Sequence, residues 1–240
     1  MNIIKRNLNI FVMCMSLSIA TAGTAASYVD MGDVTGVKGT VEAISNAANR
    51  VLSEKDDLFE GETIKTGDKG VLSATLSDGG TLQIPPNSQL EISKFLLNSD
   101  APEGKLKVIK GAFRLTSGKL NKMPGGKFSI ETPMATLGIR GTDFYLNQQS
   151  DELTISLIDN GKIDVSDING KEFTIDEPMT TIVIKEGQEL QKRKFSMSEL
   201  EKITKTLDST SSNWLLQIIV LSIVLGYLGL MVVYNIRKKE

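Results

Sequence analysis

The sequence predicts a mostly β protein: a stacked, solenoid-like or sandwich domain built from repeated β units, a short stalk helix, and one C-terminal transmembrane helix. Three observations predict it. Short runs between Leu72 and Ile184 alternate apolar and polar residues, the signature of half-buried strands. Glycine, proline, asparagine and aspartate clusters separate those runs. Near the end, residues 214–236 form an uncharged stretch of 23 residues, followed at once by Arg237, Lys238 and Lys239.

The N-terminal segment, residues 1–26, reads as a secretory signal peptide. Lys5 and Arg6 form a basic start, an apolar stretch runs from about Leu8 to Ala20, and small residues follow, with cleavage after Ala25 or Ala26. An uncleaved N-terminal anchor is the alternative. Cys14, the only cysteine, lies inside this segment and reads as an ordinary apolar residue of it.

Residues 27–213 are then the exported part. They carry 22 Lys and Arg against 28 Asp and Glu, a balance that favours neither nucleic acid nor anionic lipid as a partner. The chain contains no histidine. That excludes the usual His/Cys metal centres, histidine-based acid–base catalysis, and Ser-His or Cys-His nucleophile pairs. No cofactor and no metal is expected.

The β region is placed at residues 27–190. Its runs include Leu72/Ala74/Leu76, Leu106/Val108, Phe128/Ile130, Leu153/Ile155/Leu157 and Ile182/Ile184. Asn160-Gly161 and Asn169-Gly170 read as tight hairpin turns. Asp78-Gly79-Gly80 and Asp159-Asn160-Gly161 lack the spaced acidic loop of a calcium site and read as turns. An internal repeat is visible: Phe128 to Ile139 matches Phe173 to Ile184 at an offset of 45, including Pro133-Met134 and Pro178-Met179. Gly111, Phe113 and Leu115 match Gly161, Ile163 and Val165 at an offset of 50. Such periods suggest stacked units sharing one core, with Met134 and Met179 in it.

Residues 191–213 read as an amphipathic helix and a stalk. Ser196 and Glu199 have capping-box spacing, and Met197, Leu200, Ile203 and Leu207 share a helix face that is expected to pack on its own domain. Residues 214–236 would span roughly 34 Å as a helix, enough for a hydrocarbon core of about 30 Å. The basic residues after Ile236 place the tail, residues 237–240, in the cytoplasm and the bulk of the chain in the periplasm, anchored at the inner membrane from Trp214 to Ile236. Ser222 and Gly226 give a small-residue face for a membrane partner.

The run from Glu131 through Thr132, Pro133, Gly138, Arg140, Gly141, Thr142 and Asp143 to Phe144 looks like the hallmark of the FecR-type periplasmic domain. Val34 to Gly39, Leu58 to Gly67, Gly79 to Pro85 and Val108 to Gly111 match further features in the family's order. The resemblance covers about residues 33–165. It implies a non-catalytic extracytoplasmic β module that works through a protein partner. Iron-uptake regulators of that family resemble a relay to a sigma factor. This sequence differs in its topology, which puts direct sigma-factor control in doubt. Arg140 reads as a tie between a turn and neighbouring carbonyls, with Thr142 and Asp143 bonding nearby backbone and Gly138 and Gly141 permitting a bend or close strand approach. The other reading of Arg140 is a fork that grips a carboxylate or phosphate. The expected function is a membrane-anchored binding or signal-relay module with a protein partner in the envelope. The alternatives are a structural scaffold in envelope assembly and a glycan-acting enzyme using paired carboxylates.

Overall fold

Alternation in the sequence becomes alternation in burial. Ala135, Leu137 and Ile139 face inward along one strand while Thr136, Gly138 and Arg140 face out, and Phe144 and Leu146 continue the inward pattern on the next. The computed structural model describes residues 29–46 and 48–207. The expected signal peptide, polar stalk, transmembrane span and cytoplasmic tail lie outside the described residues. Among the described residues no helix is long and apolar enough to cross a membrane.

Among the described residues seventeen strands form two sheets that share one strand. The first sheet runs, in spatial order, β4 (Asp57–Phe59), β1 (Asp30–Lys38), β6 (Val71–Leu76), β7 (Thr81–Ile84), β9 (Glu103–Thr116), β12 (Asp143–Gln148), β13 (Glu152–Leu157), β16 (Thr180–Lys185) and β17 (Gln191–Lys194). The second runs β3 (Asn49–Val51), β2 (Val41–Ile44), β5 (Thr63–Thr66), β8 (Gln89–Leu96), β9, β10 (Lys127–Glu131), β11 (Ala135–Arg140), β14 (Lys162–Asp167) and β15 (Glu172–Ile175). Every pairing is antiparallel except β9 with β10. The inward faces of both sheets form one apolar cluster, as a sandwich requires. Phe113 of β9 and Phe144 of β12 meet edge to face in it, with centroids 5.7 Å apart.

β9 makes the two sheets one object. Residues up to Lys110 pair in the second sheet, and Gly111 onward pair in the first. The switch needs Gly111. Its φ is +82°, and a Cβ there would lie 2.5 Å from Ser88 Cα and Oγ. Buried Ser88 holds the joint: its Oγ accepts from the Ala112 N–H at 3.0 Å, and its own N–H donates to Thr66 Oγ1 at 2.9 Å. Thr66 Oγ1 donates in turn to the Pro85 carbonyl at 2.7 Å.

Several sequence expectations change. The β region continues past residue 190, because β17 pairs with β16. Five strands precede Val71, within the expected β region. Asn169-Gly170 does turn the β14–β15 hairpin. Asn160-Gly161 instead crosses between sheets, since β13 and β14 do not pair. The matched repeat segments are not equivalent in space. β10 and β11 pair with each other, whereas β15 and β16 lie in different sheets. Met134 is in the core, while Met179 sits at a turn with φ +54°.

The helix α1 (Met197–Leu207) lies over the outer face of the first sheet. Its capping box is formed: Ser196 Oγ accepts the Glu199 N–H, and Glu199 Oε2 accepts the Ser196 N–H at 2.9 Å. The apolar face packs unevenly. Leu207 is 1% exposed and Met197 69%.

Candidate functional site

The residues from Thr132 to Phe144 have divided duties. At the β10–β11 turn, Thr132 Oγ1 accepts the N–H groups of Met134 and Ala135 at 3.1 and 2.9 Å and donates to the Ala135 carbonyl, closing the hairpin. Pro133 is exposed at its tip. At the far end of β11 the chain leaves the second sheet through Gly141, at φ +63°, and enters the first at Asp143. The crossing is held by Ser117, whose N–H and hydroxyl both donate to the Thr142 carbonyl while its Oγ accepts the Thr142 N–H at 3.0 Å. Gly161 presses on the same crossing: a Cβ there would stand 2.2 Å from the Gly141 carbonyl oxygen. Phe144 is fully buried.

Asp143 is anchored by a side chain, not by local backbone as its position suggests. Arg114 of β9 forks onto it, Nε to Oδ1 at 3.0 Å and Nη2 to Oδ2 at 2.8 Å, with both side chains about four-fifths buried. Thr142 contributes through its backbone alone; its buried Oγ1 has no hydrogen-bond partner among the described residues.

Arg140 does none of this. Its side chain is exposed and makes no hydrogen bond or ion pair among the described residues, so it does not tie the turn. Gly138 is no bend either. It sits in extended β11, and the nearest atom to an added Cβ is 3.9 Å away. What Gly138 does is leave a depression of about 420 Å3 on the outer face, bordered by Thr136, Asp164, Ser166, Phe173 and Thr174.

Arg140 stands in a row of cations. Lys162 of β14 is its direct partner across one side, and the β10–β11 register sets Lys127 beside it on the other. Like charges directly opposite on a sheet destabilise it. Among the described residues two acids offset the row: Glu103 of β9 lies opposite Lys127, and Asp164 lies beside Lys162. Asp164 accepts from Lys162 at 2.8 Å and Thr174 at 2.7 Å. These bonds, the one from Lys162 first, hold its carboxyl below the usual range, and the positive charge of Arg140 adds to the effect.

A second cleft of about 340 Å3 lies between α1 and the first sheet, lined by Tyr145, Asn147, Thr154, Ser156 and Lys202 among others. Burial pushes the Tyr145 hydroxyl above its ordinary pKa. The clamp over this cleft is Arg193, which reaches Glu199 at 2.8 Å. Together with the Ser196 N–H it holds the Glu199 carboxyl at about 2.

In the first depression the Thr174 hydroxyl donates to Asp164, a carboxylate that Lys162 also holds. The buried carboxylates are occupied elsewhere: Asp78 accepts the Gly80 and Leu120 N–H groups, and Glu62 accepts the Arg50 fork and the Phe59 N–H. Arg50 also donates to the Asp57 carbonyl and lies over the Phe59 ring. Among the described residues no group of three or more metal-ligating side chains converges. Arg114, Arg50, Glu62 and Ser88 escape sequence reasoning, because their partners lie 12 to 29 residues away in the chain and only strand register joins them.

A family model described as FecR protein matches residues 62–163, a span that holds the β9 joint, Arg140 and its crossing. Two crystal structures of a provisionally assigned anti-sigma factor from Parabacteroides distasonis ATCC 8503 are similar to the chain at 17% identity, with TM-scores of 0.48 and 0.47. Each similarity covers 58% of this chain and 62% of the other, less than two thirds of those proteins' length. No curated protein matches the chain.

Proposed function

We propose that this chain, whose residues 62–163 match the FecR family model, is a non-catalytic relay module of the cell envelope that grips an acidic protein partner with the Arg140 corner. The observation that carries the reading is the division of labour from Thr132 to Phe144. Thr132, Gly141, Thr142, Asp143 and Phe144 build the fold, while Arg140 faces solvent between Lys127 and Lys162 with no partner of its own. A guanidinium at the end of a paired strand offers a planar, pre-organised fork to a carboxylate. Residues 1–26 as a signal peptide and 214–236 as an anchor would hold the domain on the periplasmic side of the inner membrane. In this reading a signal would pass inward through a second membrane protein packed on the small-residue face of Ser222 and Gly226.

The test uses the full chain in its own membranes. Tagged wild-type and Arg140→Glu chains are captured after crosslinking. The reading expects the reversed charge to lose the partner while chain level and membrane attachment stay the same. Regulator or transporter components among the lost proteins support relay; secretion or wall-assembly proteins support the scaffold alternative. Identical partner sets from both chains would overturn the role of Arg140. Protease added to spheroplasts should remove the β domain, and a chain that stays intact would overturn the orientation.

A further inference from the structure

Two strands end the sandwich on one side, β17 in the first sheet and β15 in the second, and neither has a further neighbour among the described residues. Lys192 of β17 bonds Glu177, just past β15, at 2.9 Å, so the two edges lie side by side. Their charges are opposite. Lys192, Arg193 and Lys194 are three of the four residues of β17, and all are exposed. Glu172 begins β15 and Asp176 and Glu177 follow it, all exposed. Lys194, Glu172 and Asp176 have no ion-pair partner among the described residues.

Direction matters as much as charge. From β9, common to both sheets, alternate antiparallel pairings give β17 the sense of β9 and β15 the opposite sense. A two-fold axis along the strands would therefore set β17 of one copy antiparallel to β15 of another, and do so twice.

We infer that this chain pairs with a second copy of itself, β17 of each lying against β15 of the other. Such an interface is isologous and closes both open edges at once. Like edges are excluded by charge: β17 against β17 opposes cations, and β15 against β15 opposes acids. Unlike edges attract, and because the charges are exposed the attraction is screened by salt. This surface is separate from Arg140, so the pairing goes beyond the partner reading and fails independently of it.

Cysteine pairing in the full chain tests it. In a Cys14→Ser background, one tagged copy carries Thr174→Cys and a second, differently tagged, carries Gln191→Cys. Under mild oxidation in membranes the mixed pair should form a disulfide, well above either copy with itself and above a Ser93→Cys control. Lys192→Glu with Lys194→Glu should cut the mixed product roughly ten-fold, and Glu172→Lys with Asp176→Lys on the other copy should restore it. Restoration shows that the reversed chains still fold. Equal or greater pairing of like with like, or a mixed yield no higher than the control, would overturn the inference.

Discussion

Glycines that look alike in the sequence differ sharply in what they hold. Gly111 carries the bend that joins the two sheets, at a positive φ and against Ser88. Gly111→Ala should cost about 2 kcal/mol or more, measured by denaturant unfolding. Gly138→Ala adds a methyl to open space on an extended strand and should change stability by less than about 0.5 kcal/mol. Thr142 supplies a further test. Its hydroxyl is buried without a partner, so Thr142→Val, which keeps the shape, should leave stability unchanged or raise it by about 1 kcal/mol. Phe144, fully buried against Phe113, is the opposite case: Phe144→Ala should cost about 3–5 kcal/mol.

At the scale of elements, α1 is fastened to the first sheet at its start and its end. Leu207 is buried at one end, and at the other Glu199 joins Arg193 to the Ser196 backbone. The Glu199 carboxyl titrates at about 2 in the fold and near 4.3 in an unfolded chain. A depressed folded pKa means that the contribution is complete above about pH 4.3 and fades as pH falls toward 2. Amide protection across 197–207, taken relative to the intrinsic exchange rate at each pH, should therefore fall on acidification through that window. In Glu199→Gln that protection should be lower already at neutral pH and less dependent on pH. The element scale is also where the sequence was most and least readable. The capping box could be read because both its members lie within one turn. Most strands between Val71 and Lys185 could be read because a buried face alternates with a more exposed one, whereas β17, exposed along its length, could not. The pairing could not: glycine and asparagine clusters turn hairpins at Asn169-Gly170 and cross between sheets at Asn160-Gly161 with the same residues. Register between strands distant in the chain decides which.

For the whole molecule, one strand joins two sheets, and the family's features gather where that strand and its neighbours cross. Thr66, Pro85 and Gly111 meet at one joint, and Thr142 and Asp143 hold another with Ser117 and Arg114. The resemblance found in the sequence is thus largely a record of how the sheets are joined. Of the two readings of Arg140, the tie to a turn is filled by Arg114 instead, which leaves the fork for a carboxylate. The apparent repeat misled: similar alternating segments can serve either sheet of a sandwich, so likeness in sequence need not mean likeness in position.

The central claim is that Arg114 holds the fold while Arg140 is left to face a partner. Thermal unfolding of Arg114→Ala and Arg140→Ala beside the wild type tests it most directly. Loss of the Arg114 fork leaves Asp143 largely buried without its counter-charge, at about 1–3 kcal/mol, so the midpoint should fall by roughly 3–10 °C. Arg140→Ala should leave the midpoint within about 1–2 °C of wild type. A fall in Arg140→Ala as large as that in Arg114→Ala would contradict the account.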